Sequence, residues 1–132
     1  MKVFEILNVL ETLAPKSLQE DYDNSGVIAG DIQSTCTGVL VSLDCTPEVV
    51  REAKEKGCNL IVSHHPILFK GLKSLTGKNY VERSIIEAIK SDIVIYAIHT
   101  NLDNVLAGVN QKISQKLGLK NTRILRRKSN LL

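Results

Sequence analysis

The sequence has no tryptophan, few other aromatic residues and few cysteines, and each shortage excludes a class of protein. Aromatic residues make up only 4% of the 132 positions, too few for the stacking surfaces with which proteins bind single-stranded nucleic acids. The three cysteines, an odd number without a Cys-x-x-Cys pair, are Cys36, Cys45 and Cys58. This number and spacing argue against a disulfide framework and favour free thiols in a reducing compartment.

A strong net charge and a long apolar segment are also missing. Lysine and arginine number 17 against 14 aspartate and glutamate residues, and the net charge of +3 is too mild to indicate nucleic-acid binding. The apolar pattern of residues 1–15 is interrupted by Glu5 and Glu11, so it is neither a signal peptide nor a membrane span. We therefore expect a cytoplasmic protein that binds neither membranes nor nucleic acids.

Length and composition are those of a single globular domain. A chain of 132 residues with 43% hydrophobic and 23% charged residues can bury one hydrophobic core, and no internal repeat divides it. We therefore predict one domain over residues 1–132. The last segment, TRILRRKSNLL at 122–132, predicts a further strand but has no clear terminator. This ending leads us to expect that the chain is part of a longer protein.

Hydrophobic periodicity predicts strands that alternate with helices. Apolar residues at helical spacing predict a first helix from Val3 to Ala14, which Pro15 ends. Apolar runs predict a short strand at 27–29 and three strands buried on both faces, at 39–43, 60–63 and 93–98. Further helices are predicted at 46–57, at 107–117, and at 81–91 with Ile85, Ile86 and Ile89 facing inward. Such alternation is typical of an α/β fold, here a three-layer sandwich with a mainly parallel sheet and helices on both faces.

Chemically active side chains follow the three buried strands where each strand ends. Asp44 follows the first strand, His64 and His65 follow the second, and His99 and Asp103 follow the third. All three histidines of the chain belong to this group. Because ligands bind at the carboxyl ends of parallel strands, we expect these side chains to form one site.

Imidazole and carboxylate groups together predict a transition-metal site, since they suit Zn²⁺, Mn²⁺ or Fe²⁺. Adjacent side chains of a strand point to opposite faces, so His64 and His65 can both face the site only if the backbone turns before Pro66. Two neighbours are then more easily placed on two ions, ~3.5–4 Å apart, than on one. The alternative is one buried, hydrogen-bonded histidine beside one that faces solvent.

The other polar residues of the site allow two interpretations each. Asp103 is either a metal ligand, four residues after His99, or a helix cap, and we favour ligation. Asp44 either orients a histidine ligand or only makes a loop turn. Asn24, within the Asp-Asn-Ser-Gly segment at 23–26, is either a turn residue or a substrate contact.

Three longer segments resemble the Nif-three-like proteins, also called GTP cyclohydrolase I type 2-like proteins. They are DYDNSGVIAGD, VSLDCTPEVVREAKEKGCNLIVSHHPILF and IYAIHTNLDNVLAGVNQKISQKLGL, of which SHHP and HTNLD are the most specific parts. The resemblance runs to about Leu119 and corresponds to the N-terminal half of that family. Tyr22 stands where family members often have tryptophan.

The resemblance implies a dinuclear metal site on an α/β fold and protomers that assemble into a hollow, ring-shaped hexamer. It implies that His64 and His65 each bind a different ion, that Asp103 joins His65 on one of them, and that His99 lies close by. In the family, a histidine and a glutamate from the second half complete the site. This chain has no histidine after His99, so we expect these ligands from another segment or chain.

The residues and the resemblance lead to two hypotheses of function. The first is a metal-dependent hydrolase, in which two divalent ions activate water and polarise a bond of a nucleotide or phosphoester. The cyclohydrolase name points to GTP; no base is evident beyond the water that the metal activates, and His99 is the candidate catalytic residue that assists it. The second hypothesis is a metal-binding ring without catalysis, a scaffold or a regulatory partner of another protein. The number of metal ligands distinguishes the hydrolase from the non-catalytic ring. A site without the glutamate would bind metal weakly, which favours the non-catalytic ring.

Overall fold

The computed structural model describes residues 1–125 as a mixed α/β fold. Within this range the strands are β1 (Gly26–Ala29), β2 (Val39–Ser42), β3 (Leu60–Ser63) and β4 (Val94–Ala97). The helices are α1 (Val3–Leu13), α2 (Pro47–Glu55), α3 (Tyr80–Lys90), α4 (Thr100–Asp103) and α5 (Val109–Lys116), and a 3₁₀ turn covers Lys16–Leu18. The predicted alternation of strands and helices is confirmed.

The strands form one sheet in the order β1-β4-β3-β2, and the sheet is mainly parallel, as predicted. β2, β3 and β4 are parallel, with Val41 opposite Val62 and Val62 opposite Tyr96. β1 pairs antiparallel with β4, and its register shifts between Val27 and Ala29. The three parallel strands therefore end at the same edge of the sheet, where the candidate site is expected.

Each face of the sheet carries its own hydrophobic core. On one face, α1 packs against β3 and β4, through Val3, Leu7, Leu60, Val62, Val94 and Tyr96. On the other face, α2 and α3 cover the alternate side chains of the same strands, through Val50, Ala53, Ile85, Ala88, Ile61 and Ile95. Helices on both faces make the fold a three-layer sandwich, as predicted.

Capping residues mark where two of the helices begin. The Thr46 hydroxyl accepts a hydrogen bond from the backbone N–H of Val49 at 3.4 Å, and Pro47 occupies the first turn of α2. The Asn79 side chain accepts from the N–H of Glu82 at 2.9 Å and starts α3. Such caps satisfy N–H groups that have no partner within the helix, and the start of the second helix at Thr46 agrees with the prediction, whereas α3 begins one residue before the predicted 81.

The last part of the described chain differs from its prediction. One helix is predicted over 107–117, whereas the structure has α5 over Val109–Lys116 and also the short helix α4 directly after His99. A helix as short as α4 has no hydrophobic period to reveal it. A Cβ added at Gly108 would lie 2.0 Å from the carbonyl oxygen of Leu102, so only glycine fits this close approach between α4 and α5.

Two predictions of burial are wrong. The strand at 39–43 is predicted to be covered on both faces, but Val41 and Leu43 are 77% and 61% exposed. The reason is that β2 lies at the edge of the sheet, beyond the layer in which α1 packs against β3 and β4. Ile89 is predicted to face inward but is 52% exposed, because it lies in the last turn of α3, past the inward-facing Ile85 and Ala88.

The cysteines are free thiols, as predicted, and Cys45 is buried, which raises its thiol pKa to about 12.

Residues 121–125 form neither helix nor strand, and the rest of the strand predicted at 122–132 lies outside the described residues. In the range that the structure covers, no helix is both long and apolar enough to cross a membrane.

Candidate metal centre

The candidate site lies where β2, β3 and β4 end. His64 and His65 follow β3 directly, and His99 follows β4 after one intervening residue. The backbone N–H groups of His64 and His65 donate to the carbonyl oxygens of Ser42 and Leu43, at 3.1 and 2.9 Å. The sheet ladder therefore continues into the site and fixes the backbone of both histidines.

The three histidine rings form one compact cluster. Their ring centres are 5.0 Å apart for His64 and His65, 5.2 Å for His64 and His99, and 5.5 Å for His65 and His99. One ring nitrogen of each histidine lies within 4.8 Å of the other two, and all three side chains are partly buried. The backbone thus turns after β3 so that both adjacent histidines face the cluster.

A different hydrogen bond holds the Nδ1 atom of each ring. The partners are the Ile98 carbonyl at 3.0 Å for His64, the Asp44 carboxylate at 2.8 Å for His65, and the Asp23 carboxylate at 2.9 Å for His99. A carbonyl or carboxylate oxygen accepts, so Nδ1 is the donor in each ring, and in a neutral ring Nε2 then carries the free lone pair. A neutral imidazole with a free nitrogen is the form that binds metal.

Asp103 lies beside this cluster, at the end of α4. Its Oδ1 is 3.7 Å from Nε2 of His64, which is longer than a hydrogen bond. Two ligands of one tetrahedral ion, with bonds of ~2.0–2.1 Å, lie about 3.3 Å apart, so a small shift would suffice for ligation. Asp103 caps neither adjacent helix, since the cap positions are His99 and Gly108. That Asp103 shares an ion with His65 stays a prediction.

Asp44 and Asn24 lie at the margin of the site. Asp44 contacts the His65 ring, as one of its two interpretations requires, although its side chain is 59% exposed. Asn24 donates from its side-chain amide to the carbonyl oxygen of Leu68 at 2.7 Å, so it ties the loop after His65 to the segment before β1. This contact gives Asn24 a structural role, and a contact with substrate stays a prediction.

Asp23 is the residue of the site that the sequence does not reveal, because its segment is typical of a turn. Burial alone would raise its pKa, but hydrogen bonds from Thr100, His99 and Ser25 lower the pKa of this carboxyl well below its usual range. The antiparallel pairing of β1 with β4 brings the segment before β1 to the end of β4. Only this pairing places Asp23 beside His99, 76 residues away.

An open cavity of about 260 Å³ adjoins His65. Its lining combines a carboxylate, a hydroxyl and two aromatic rings, from Asp44, Thr46, Phe69 and Tyr80. The Phe69 ring also lies edge-on to His99, with ring centres 5.9 Å apart. The cavity therefore offers both polar and apolar contacts beside the histidine cluster.

The donor set of the cluster fits a transition metal. Three imidazoles with free Nε2 atoms, and one carboxylate beside them, are the nitrogen and oxygen ligands found in zinc, manganese and iron sites. The fold and the site together define a class: a mixed α/β protein with a histidine cluster, suited to metal, at the carboxyl ends of a parallel sheet.

The chain belongs to the Duf34/NIF3 (NGG1p interacting factor 3) family, whose model matches residues 1–131. Curated relatives carry the name GTP cyclohydrolase 1 type 2 homolog. A Clostridium perfringens relative is 44% identical over 118 residues, which are 89% of this chain and 45% of the relative. A Staphylococcus aureus relative is 46% identical over 125 residues, which are 95% of this chain and 34% of the relative. The chain thus spans less than half the length of these relatives.

Solved structures of the family have the same fold. A Staphylococcus aureus protein superposes with a TM-score of 0.91 at 44% identity, over 97% of this chain and 36% of that one. A Bacillus cereus protein related to NIF3 superposes with a TM-score of 0.92 at 38% identity, over 97% of this chain and 36% of that one. Reduced HcgD from Methanocaldococcus jannaschii superposes with a TM-score of 0.87 at 31% identity, over 100% of this chain and 52% of that one.

Proposed function

We propose that this chain is the metal-binding part of a metal-dependent hydrolase that acts on a nucleotide or a phosphoester. The observation that carries the proposal is the convergence of three histidines whose Nδ1 atoms are all hydrogen-bonded, which leaves each Nε2 free for a metal. The name of the curated relatives, GTP cyclohydrolase 1 type 2 homolog, makes GTP the first substrate to test.

In this proposal, His64 and His65 hold two divalent ions of zinc, manganese or iron, and Asp103 is a carboxylate ligand. Bound ions would supply Lewis acidity, which polarises the bond under attack and makes water more acidic. His99 is the proposed catalytic base: Asp23 holds its Nδ1 proton, so its Nε2 can accept a proton from water when no ion is bound to it. The cavity beside His65 gives a substrate room within reach of these groups.

The proposed site requires ligands beyond the ones described. The resemblance implies a further histidine and a glutamate, and no histidine follows His99. The curated relatives, of which this chain covers 45% and 34%, are longer, and such ligands would lie in their additional residues.

We propose that residues 1–132 are one domain, equivalent to the N-terminal half of the family. We also propose that this domain forms a homo-hexameric ring and that it works in the cytoplasm.

A metal-binding ring without catalysis, acting as a scaffold or regulatory partner, is the second candidate function. Within residues 1–125, the group of side chains that could ligate one ion contains histidines only, with no glutamate to bridge two ions. A site with few ligands would bind metal weakly and activate water poorly. The family description also names an interaction with another factor.

The first experiment is to measure the metal content per chain. Protein purified without an affinity tag and without added metal is submitted to elemental analysis, and is then assayed with GTP and a panel of phosphoesters. Two bound ions, with turnover that His99→Ala abolishes, would support the hydrolase. Two bound ions without turnover would favour the non-catalytic ring. Protein that holds no metal even after addition of Zn²⁺ or Mn²⁺ would contradict both candidates.

A further inference from the structure

The Asp23 carboxylate divides its two oxygens between different tasks. Oδ2 accepts hydrogen bonds from the Ser25 hydroxyl at 2.7 Å and from the backbone N–H of Thr100 at 3.1 Å, and also from the Thr100 hydroxyl. Oδ1 accepts from the backbone N–H of Asn24 at 2.7 Å and from Nδ1 of His99 at 2.9 Å. Contacts on both oxygens prevent the carboxylate from rotating, so the position of Oδ1 beside His99 is fixed.

We propose that Asp23 is a positioning residue of the metal centre, which holds His99 in the Nδ1–H tautomer with Nε2 directed at the cluster. The inference rests on the metal site of the proposed function, but not on hydrolase activity. Its basis is geometric: the Asp23 side chain is fully buried, the His99 side chain is 15% exposed, and the two atoms are within hydrogen-bond distance. A carboxylate that accepts from one nitrogen of an imidazole fixes the ring and makes the other nitrogen more basic, both as a metal ligand and as a proton acceptor.

The other two histidines show why Asp23 matters more than their partners. His65 is held by Asp44, but these side chains are 44% and 59% exposed, so water can replace the contact and screens its charge. His64 is held by the carbonyl of Ile98, which carries no charge. Among the described residues, Asp23 is therefore the buried charged partner of the cluster, and its effect on its histidine should be the largest.

The first test reads the tautomer of His99 in metal-free protein. Nitrogen-15 NMR of the imidazole rings, with His99 assigned by comparison with His99→Gln, distinguishes a protonated Nδ1 from a protonated Nε2. We expect Nδ1 of His99 to be protonated and Nε2 to be free. A protonated Nε2, or rapid averaging between the two tautomers, would overturn the proposal, and this result does not depend on any Asp23 variant folding.

The second test measures Zn²⁺ affinity in a double-mutant cycle. In protein without substrate, His99 can serve as a third imidazole ligand of Zn²⁺, so Asp23→Asn should weaken binding by about 10–100-fold. Asp31→Asn, which changes an exposed carboxylate beyond the other end of β1, is the matched control and should leave the affinity unchanged. In a His99→Ala background, Asp23→Asn should cause no further loss, because its effect acts through His99. An equal loss in both backgrounds would mean that Asp23 only supports the fold, and would overturn the proposal.

A third variant separates failure of this inference from failure of the metal site. His64→Ala should lose Zn²⁺, because His64 is a proposed ligand. If His64→Ala loses Zn²⁺ while Asp23→Asn retains wild-type affinity, the inference about Asp23 is wrong and the metal site stands. If both variants retain wild-type affinity, the metal site itself is wrong and the inference falls with it.

Discussion

Single residues of the cluster illustrate how one chemical requirement is met in three ways. A histidine that binds metal through Nε2 needs an acceptor at Nδ1, and here a backbone carbonyl, an exposed carboxylate and a buried carboxylate serve in turn. The sequence places the histidines at the strand ends, but their acceptors come from other parts of the chain. The ring orientation is therefore a property of the folded site and not of the SHHP or HTNLD motif.

Replacing His64 or Asp103 by alanine is expected to abolish metal retention and leave the fold intact. Both side chains lie outside the two hydrophobic cores and are partly exposed, so their removal takes little from the free energy of unfolding. Elemental analysis gives the metal per chain, and thermal unfolding followed by circular dichroism gives the stability. The matched control is Glu55→Ala, which removes an exposed carboxylate on α2 at the far end of the sheet. It should change neither the metal content nor the stability. Wild-type metal content in both site variants would show that these ligands are wrongly assigned.

At the scale of elements, α1 is held to the sheet by a narrow apolar face. Leu7 is 4% exposed and belongs to the core that α1 forms with β3 and β4, whereas Leu13 of the same helix is 54% exposed. Leu7→Ala should lower the free energy of unfolding by ~2–5 kcal/mol, because it leaves a cavity in a packed core. Leu13→Ala should change it by less than about 0.5 kcal/mol. Urea unfolding measures both variants, and equal effects would contradict this packing of α1.

The start of α3 is joined to the preceding loop by Glu82. Its buried carboxylate accepts from the backbone N–H groups of Thr76, Gly77 and Lys78, at 2.9, 3.0 and 3.3 Å. The backbone hydrogen bond from Thr76 is the main cause that lowers the pKa of Glu82 from 4.5 to about 2, against the opposing effect of burial. Glu82 thus stabilises the fold through its ionised form.

This lowered pKa predicts how the stability depends on pH. Because the folded pKa is below the unfolded one, the contribution of Glu82 is complete above about pH 4.5 and is lost as the pH falls towards 2. Glu82→Gln should therefore be less stable than wild type at pH 7, and the difference should narrow between pH 4.5 and pH 3. Urea unfolding of both proteins at these pH values measures it. A difference that is independent of pH would show that the charge of Glu82 is not the cause.

At the scale of the whole molecule, the described surface leaves large apolar side chains uncovered at β2 and at α5. Val41 on β2 and Leu43 directly after it are exposed, as are Ile113 on α5 and Leu117 directly after that helix, all by at least 50%. Large exposed apolar surfaces are typical of sites where proteins associate. They agree with the proposal that this chain does not function as an isolated protomer.

Native mass spectrometry tests the proposed ring directly. The mass expected for the hexamer is six times the 14.6 kDa of the chain. Removing metal with a chelator should leave the hexamer assembled, because His64, His65 and Asp103 all belong to one protomer and lie outside its hydrophobic cores; dissociation would indicate that the further ligands come from a neighbouring chain. A mass of 14.6 kDa at micromolar concentration would contradict a ring built from this chain alone.

The sequence by itself determined the order of the strands and of the longer helices, the helix start at Thr46, and the grouping of all three histidines at strand ends. These features depend on periodicity and capping within a few neighbouring residues, so local sequence contains them. The tertiary structure alone decided that Val41 is exposed on an edge strand and that Asp23 meets His99. Both follow from how strands pair: the sheet order places β2 outside the α1 layer, and the antiparallel β1 brings a distant carboxylate to the end of β4. Such long-range pairing has no local signature, which is why a segment that is typical of a turn holds the buried acceptor of the cluster.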